Sequence, residues 1–524
     1  MFDTIVDDIA SVAVHSGADG DVMADFATAV SDNPHGAAVV HNGGVITYRM
    51  LAERIRRTAS QYQTHRSVWG ATGLVGALVS HTPAVVEHLL GCLQVGAAYC
   101  PIDAGLPASR KQALAAVLGL DRFFLVAGDP CEPSGLRVET LDAAAPVAEP
   151  SEAPMPSWES SDPAYVLCTS GSTGAPKPVV ISRQALTVTV RALRDVFSLS
   201  AHDRVLQFAS LGWDTCLEEI VPALTAGATL VFDNEAHSGS FPRFVRMLGQ
   251  REVTVLDLPT AFWHELVLYL HEEHAVLPKS VRLVVIGGER VDPTRLRQWR
   301  NLENPRVALL NTYGCTETTM ITHAVRLAGP GSAPRAHADG AETPLGRPLP
   351  HVRDHITDDG ELLVSGPGLA TGYLGLQELT DAGFPVADYG AGLTRWFRTG
   401  DLVTSGEAGL LYPRGRTDEQ VKVLGVRVHP AEVEAQLNTH PAVAGAVVMG
   451  ERRLGQTSLT AYVVSRVDIT SKELKRYLGE RLPSQFVPSQ VEFVAALSHT
   501  ATGKIDRVAT QRAAAVNDSK GANE

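Results

Sequence analysis

Cysteine is scarce and scattered: six residues, Cys92, Cys100, Cys131, Cys168, Cys216 and Cys315, with no CxxC and no paired Cys/His spacing. That pattern excludes a disulfide framework and a thiolate zinc site, and it fits a reducing, cytoplasmic compartment. Basic charge is also in deficit, with 45 Lys and Arg against 58 Asp and Glu, a net of −13. Phosphate backbones are held by a basic face, so the balance argues against nucleic acid as a main partner. No apolar run reaches membrane-spanning length; the longest, near Val85 to Tyr99, is interrupted by Glu87 and His88. The opening MFDTIVDDIASVAVH carries acids where a signal peptide carries Lys or Arg. There is no internal repeat, no low-complexity tract and no carrier-type GGxS segment.

What is present is a chain of 524 residues, too long for one ordinary domain, with the 44% hydrophobic and 20% charged content of a soluble globular protein. From about Ala164 to Leu310 short apolar runs alternate with helical patterns. YVLCTS, RVLQFAS, ATLVF, VTVLDLP and RLVVIGG read as buried strands, and CLEEIVPALTAG, FPRFVRMLGQ and PTAFWHELVLYLH as helices between them. HTPAVVEHLLGCLQVGAAYCPID reads as another helix feeding a strand. The alternation predicts an α/β protein with parallel sheets flanked by helices. The stretch from Asp129 to Ser161, rich in Pro, Glu, Ser and Ala, reads as an exposed connection. After about Gly415 the texture changes to short strands with two clear helices, one opened by a Thr470/Glu473 capping box. The expected division is a large domain, 1–416, and a small mobile α+β domain, 417–524, whose last stretch, VNDSKGANE, reads as frayed.

The strand YVLC runs into Thr169-Ser170-Gly171-Ser172-Thr173-Gly174-Ala175-Pro176-Lys177. Small residues let backbone N–H groups approach an anion, and the hydroxyls and Lys177 supply further donors. It is not the GxxxxGK[ST] loop, because Lys177 stands elsewhere and no Ser or Thr follows it. By itself such a loop is more often a flexible turn.

The string YVLCTSGSTGAPK resembles the signature loop of the adenylate-forming superfamily, which includes acyl-CoA ligases, luciferases and nonribosomal peptide synthetase adenylation domains. Further elements follow in that family's order: AAYCPID, WDTCLEEI, NTYGCTETT, GELLVSGPGLATGY, FRTGDL, GRTDEQVKVLGVRVHPAEVE, LPSQFVP and TGKIDR. The resemblance spans nearly the whole chain and implies ATP and Mg²⁺ as cofactors. In NTYGCTETT it implies that Tyr313 stacks on adenine, Thr316 contacts the α-phosphate and Glu317 holds Mg²⁺, with Asn311, Thr312 and Gly314 beside them. Gly288 and Glu289 belong to the same nucleotide set, and Asp401 and Arg416 are implied to bind the ribose. Lys504 in TGKIDR is the implied catalytic cation, stabilising charge as the carboxylate attacks the α-phosphorus. Asp418 is the implied hinge, with Gly425 and its neighbours lining the thiol's route after the small domain turns. Lys422 reads equally as a surface charge. Two positions depart from the family pattern: Pro178 follows the loop Lys where Gly is usual, and Cys315 replaces the usual Pro.

Asp214, after Trp213, stands where amino-acid-activating members carry the partner of the substrate ammonium. Ungapped alignment places Thr215, Glu218, Asp257, Val285, Gly287, Thr312, Met320 and Ile321 around the same pocket. Glu218 and Asp257 then argue for a long basic substrate, lysine-like, β-lysine or arginine-like, with Gly287 leaving the floor deep. The bland reading of Glu218 is a solvent-facing helix residue beside Glu219. The expected enzyme is a free-standing adenylation enzyme of nonribosomal peptide and antibiotic biosynthesis. It would load a phosphopantetheinylated carrier protein in trans, with a small activating partner protein as an open requirement. The competing readings are an acyl- or aryl-CoA ligase and a non-catalytic adenylate-binding scaffold.

Overall fold

The computed structural model describes residues 20–69, 72–126, 136–142, 158–171, 174–302, 304–332, 342–390, 392–406, 409–453, 456–499 and 505–521. The large domain is built on two sheets. A nine-stranded sheet runs in the order Arg347–Pro348, Ile321–Ala328, Ala308–Gly314, Leu283–Gly287, Val255–Pro259, Arg204–Leu206, Thr229–Phe232, Ala37–His41 and Gly44–Thr47. Its six central strands are parallel, from Ala308–Gly314 to Ala37–His41. A seven-stranded sheet holds Gly372–Tyr373, Lys177–Ser182, Pro163–Thr169, Ala98–Asp103, Leu74–Val79, Arg122–Leu125 and Arg137–Thr140.

The central strands of both sheets are buried on both faces, which is why they read as continuous apolar runs and not as alternating ones. On Leu283–Gly287, Leu283 and Val285 enter the core shared by the two sheets, while Val284 and Ile286 enter the core beneath helices Phe241–Gln250 and Thr260–Glu272. The shared core also takes helices Val22–Asp32, Tyr48–Thr64, Ala84–Gln94, Arg183–Val196 and Thr215–Thr225. A four-stranded antiparallel sheet (Arg353–Ile356, Glu361–Ser365, Phe397–Ser405, Leu411–Arg416) closes the large domain.

The expected strands and helices are found, divided between the two sheets. YVLCT joins the seven-stranded sheet, while RVL, TLVF, VLDLP and LVVIG join the nine-stranded one. Within the expected exposed connection, Arg137–Thr140 is an edge strand of the seven-stranded sheet.

Beyond Arg416 a two-stranded hairpin, Val421–Val423 with Val426–Val428, joins the core of the small domain. That core is completed by strands Val443–Arg453, Gln456–Ser465 and Gln490–Phe493 and helices Pro430–Asn438 and Ser471–Gly479. The Thr470/Glu473 capping box is present in both directions. A third helix, Arg507–Gly521, runs into the stretch expected to fray, so among the described residues the small domain has three helices and not two. Among the described residues no helix is long and apolar enough to cross a membrane.

Candidate active site

The pocket positions converge because they occupy one face of three adjacent parallel strands. Asp257 pairs in register with Val285, and Gly287 with Thr312. Residues two apart share a face, so Asp257 lies with Val255, and Gly287 with Val285 and Leu283, on the side of the shared core. Helix Thr215–Thr225 packs into that core through Cys216, Leu217 and Ile220. Asp214 stands at its N-terminus without capping it, and its carboxylate accepts from the Thr316 hydroxyl instead. One turn on, Glu218 is buried and hydrogen-bonds Asp257, which is 5% exposed. The solvent-facing reading of Glu218 therefore fails. Its neighbour Glu219 is buried too and has a different task, accepting from the amides of Phe208 and Ala209 (3.0 Å each) and from Gln207 Nε2 (3.0 Å).

Three acids so close together cannot all carry charge freely. Burial pushes the Asp214 carboxyl up to about 6, against hydrogen bonding by Thr316. Burial and then the neighbouring Asp257 push the Glu218 carboxyl well above the carboxylate range, and burial raises Asp257 as well. Burial and mutual repulsion favour a proton held between Glu218 and Asp257 over two full charges. Among the described residues Asp214 Oδ2 and Asp257 Oδ2 are buried and have no hydrogen-bond partner. The Tyr165 hydroxyl, also buried and unpartnered, lies close enough to feel the charges of Asp214 and Glu218. Tyr165 escaped the sequence reading, because one phenol in the apolar strand YVLC reads as core. The room at Gly287 is not empty depth: a Cβ there would stand 2.6 Å from Thr312 Oγ1, which donates to the Ile286 carbonyl (3.0 Å). Met320 and Ile321 are buried beside it, and Thr319 and Met320 both have positive φ, 55° and 67°, which stores strain at this edge of the pocket. Trp213 turns toward the small domain and packs on its core.

On the other side of the seam the glycine loop leaves strand Pro163–Thr169. A Cβ on Gly171 would lie 2.0 Å from the Ala175 carbonyl, so only glycine closes this turn; Gly174 follows at φ +81°. Thr169 Oγ1 is buried without a partner among the described residues, as suits a hydroxyl facing an anion. Ser172, Thr173 and Lys504 lie outside the described residues. Lys177 Nζ is 4.9 Å from the centroid of the Tyr373 ring, and burial pulls its pKa down while Glu317 opposes that. Pro178 sits in the strand opposite Cys168, and its carbonyl accepts from the Leu374 amide (2.8 Å).

Glu317 is 1% exposed and accepts from the Tyr373 hydroxyl (3.1 Å). Burial pushes its carboxyl up, but Arg427 and Lys177 outweigh burial and hold it below the usual range. A buried carboxylate facing the glycine loop, with the unpartnered Thr169 hydroxyl, is a donor set of hard oxygens that would hold Mg²⁺ and offset phosphate charge. Cys315 has φ −154° and donates its N–H to Thr318 Oγ1 (3.3 Å), neither of which a proline could do. Tyr313 donates its hydroxyl to Asp401 Oδ2 (2.6 Å), and the register that sets Asp401 opposite Arg416 gives a second bond, Nη1 to Oδ1 at 2.5 Å. Arg416 also binds Asp418 through Nε (2.6 Å) and Nη2 (3.0 Å). Asn311 Nδ2 donates to the Pro344 carbonyl (2.8 Å).

The small domain is seated directly on this site. Arg427 Nη1 approaches Glu317 Oε2 (3.4 Å), Ser170 Oγ donates to the Arg427 carbonyl (2.8 Å), and the Gly425 amide donates to Glu289 Oε1 (2.6 Å). Lys422 Nζ lies 5.7 Å from the centroid of the Tyr313 ring, so it is not a surface charge. Gly288 meets Gly425 so closely that a Cβ would stand 3.2 Å from the Gly425 Cα. Arg110 pairs with Glu432 across the domains, and both are buried. Arg427, Glu432 and Tyr373 lie inside quoted family elements, but nothing local shows what they contact, and Arg110 lies in no quoted element. The nearest hint is a cation between two valines in GVRV.

Residues 26–374 match the AMP-binding enzyme family, and residues 432–504 match the AMP-binding enzyme C-terminal domain. An isonitrile lipopeptide synthase from Streptomyces coeruleorubidus is 40% identical over 476 residues, 90% of this chain and 32% of that protein. The chain spans about a third of that curated relative and still less of others. Among solved structures, an artificially fused adenylation–PCP di-domain NRPS from Klebsiella oxytoca superposes with a TM-score of 0.79 at 23% identity, covering 90% of this chain and 93% of the other. The o-succinylbenzoate CoA synthetase of Bacillus subtilis reaches a TM-score of 0.79 at 22% identity, over 93% and 98% of the two chains. At these identities the likeness is one of fold.

Proposed function

The chain belongs to the AMP-binding enzyme family, and we propose that it works as an ATP-dependent, AMP-forming ligase of the nonribosomal-peptide adenylation kind. On that premise we propose that it activates a basic amino acid as the aminoacyl-AMP and passes the acyl group to the phosphopantetheine thiol of a carrier protein. The observation that carries the substrate class is the pair of buried, unpartnered oxygens Asp214 Oδ2 and Asp257 Oδ2 in one pocket. An uncompensated buried carboxylate is costly, so two of them are matched by two cations on one ligand. Asp214 takes the ammonium next to the reacting carboxylate. Asp257, with Glu218 sharing its proton, takes the cation at the end of the side chain. A simple acyl or aryl acid would leave both charges buried and unmet.

The proposed reaction has two steps. The substrate carboxylate oxygen attacks the α-phosphorus, a P–O bond forms, and the bond to pyrophosphate breaks. In this reading Thr316 would contact the transferred group, and Lys504, outside the described residues, would meet the charge that develops there. A divalent cation held by Glu317 would offset the triphosphate charge. Tyr313, Asp401 and Arg416 hold adenine and ribose. In the second step the thiol sulfur attacks the carbonyl carbon, and AMP leaves with the electron pair of the broken C–O bond. The test is ATP–pyrophosphate exchange with all proteinogenic amino acids, ornithine, β-lysine and arginine analogues, with fatty and aryl acids as controls. Exchange selective for a basic amino acid, lost in Lys504→Ala, is the expected result. Exchange only with neutral amino acids or simple acids would overturn the substrate class.

A further inference from the structure

Tyr373 stands between two opposite charges of the large domain. Its ring carries Lys177 of the glycine loop, with Nζ 4.9 Å from the centroid, and its hydroxyl donates to Glu317 Oε1 at 3.1 Å. Lys177 is half-buried, Glu317 is buried, and each feels the other's charge, yet among the described residues the two form no ion pair. The strand register places the ring. In the antiparallel pair of Gly372–Tyr373 with Lys177–Ser182, Tyr373 lies opposite Val179. Lys177, two residues before Val179, is then the diagonal neighbour on the same face. The Glu317 carbonyl accepts from the Ala370 amide (2.9 Å), which brings the segment bearing the phenol alongside the carboxylate. Thr380 Oγ1 takes the Tyr373 amide (3.0 Å) and Phe384 packs edge-on against the ring, 5.8 Å between centroids, so the phenol is held from two further sides.

We propose that Tyr373 is a positioning residue, a neutral spacer that keeps Lys177 and Glu317 from pairing with each other and so keeps both available to the metal–nucleotide. The inference rests on the reading of Glu317 as the metal ligand and of Lys177 as a phosphate donor. Both groups belong to the large domain, so they face each other whatever the small domain does. Opposite charges in a low-dielectric space attract strongly, and a buried pair, once formed, must be broken before either member can serve a ligand. The phenol replaces that pair with two weaker contacts. Its ring face attracts the ammonium, and its hydroxyl gives the carboxylate one hydrogen bond. Neither contact adds a charge, so Lys177 can turn to phosphate and Glu317 to a metal without first breaking a pair between them. The other Glu317 oxygen faces Arg427 at 3.4 Å, which leaves Oε1 as the oxygen that Lys177 would reach if the ring were gone.

The test uses the full chain and the complex of Mn²⁺ with α,β-methylene-ATP, which cannot be cleaved at the reacting bond. Its affinity is read by calorimetric titration of wild type, Y373F, Y373L, K177Q, Y373L/K177Q and E317Q. Y373F keeps the ring under Lys177 and should change the affinity less than threefold. Y373L removes the ring and should weaken binding at least tenfold. K177Q should cost at least fivefold in the wild-type background but less than twofold in the Y373L background, because removing the lysine also frees Glu317 from it. Y373F as damaging as Y373L would overturn the spacer and assign the role to the hydroxyl. Losses of Y373L and K177Q that simply multiply would overturn it in favour of general damage to the site. Affinity indifferent to E317Q would overturn the metal-ligand reading instead, and indifference to K177Q in the wild-type background the phosphate-donor reading. Where Y373L does not fold, Y373M fills much of the same space and must show the same lack of additivity with K177Q.

Discussion

Replacing Asp214 with Asn keeps the shape of the side chain and removes its charge, and the structure gives opposite signs for the two consequences. In the free protein the carboxyl is raised from 3.8 to about 6 by burial. A shift of about two pKa units corresponds to roughly 3 kcal/mol at 1.36 kcal/mol per unit. Because the residue is not fully sealed from solvent, ~1–3 kcal/mol is the working range. The sign follows from linkage. A carboxyl whose folded pKa is raised is held more readily in its protonated form by the folded state, so the penalty is fully present above about pH 6 and absent below the unfolded value near 4. Asp214→Asn should therefore raise the melting temperature at pH 8 by a few degrees and change it little at pH 4. The same substitution deprives the substrate ammonium of its partner, a loss of about 2–5 kcal/mol for one side of a buried charge pair. The KM for the amino acid in pyrophosphate exchange should rise at least about thirtyfold, with the KM for ATP within a fewfold of wild type. Thermal melts at the two pH values and exchange kinetics check both arms. A variant less stable at pH 8, or one with an unchanged amino-acid KM, would refute the assignment of Asp214 as a strained carboxylate awaiting a cation.

Asp257→Asn should cost the basic substrate about 2 kcal/mol or more and narrow its advantage over an uncharged isostere such as norleucine by about thirtyfold, read from kcat/KM for the two acids. In wild type, kcat/KM for the amino acid should fall as pH drops through about 6, because protons then compete with the ammonium for Asp214; a flat profile from pH 8 to 5 would contradict this. Arg110→Gln leaves Glu432, 1% exposed, without its charge partner, a buried-pair loss on the order of 3–5 kcal/mol. It should slow transfer to a pantetheine thiol at least tenfold in single turnover while exchange changes less than threefold; equal losses in both would assign the pair to folding in general.

How much of this was legible in the sequence differs by residue. The glycine loop, Tyr313, Glu317, Asp401 and Arg416 announced themselves, because each lies in a contiguous motif whose residue types serve one chemistry. The Thr470/Glu473 cap was readable for the same reason, being local. Strand positions were legible from apolar runs, but their division between two sheets was not, since a run buried on both faces carries no mark of which neighbour it pairs with. Glu218 and Glu219 show the limit most clearly. Adjacent residues on one helix are both buried, and only the tertiary fold tells that one caps the Phe208–Ala209 amides and the other meets Asp257. Arg427 reaching Glu317 and Arg110 reaching Glu432 cross 110 and 322 positions, a separation that no local periodicity encodes.

Every strand from Arg204–Leu206 to Ile321–Ala328 belongs to the nine-stranded sheet, and every acid of the pocket lies within that unbroken stretch, whereas the glycine loop hangs from the other sheet. Choice of acid and the glycine loop are therefore inherited separately along the chain, although Tyr313, Thr316 and Glu317 travel with the acids. A single graft covering that stretch would carry the taste for one side chain into a relative together with Tyr313, Thr316 and Glu317, while the recipient keeps its own glycine loop, provided the graft brings the Cys216, Leu217 and Ile220 face that seats it against the common core.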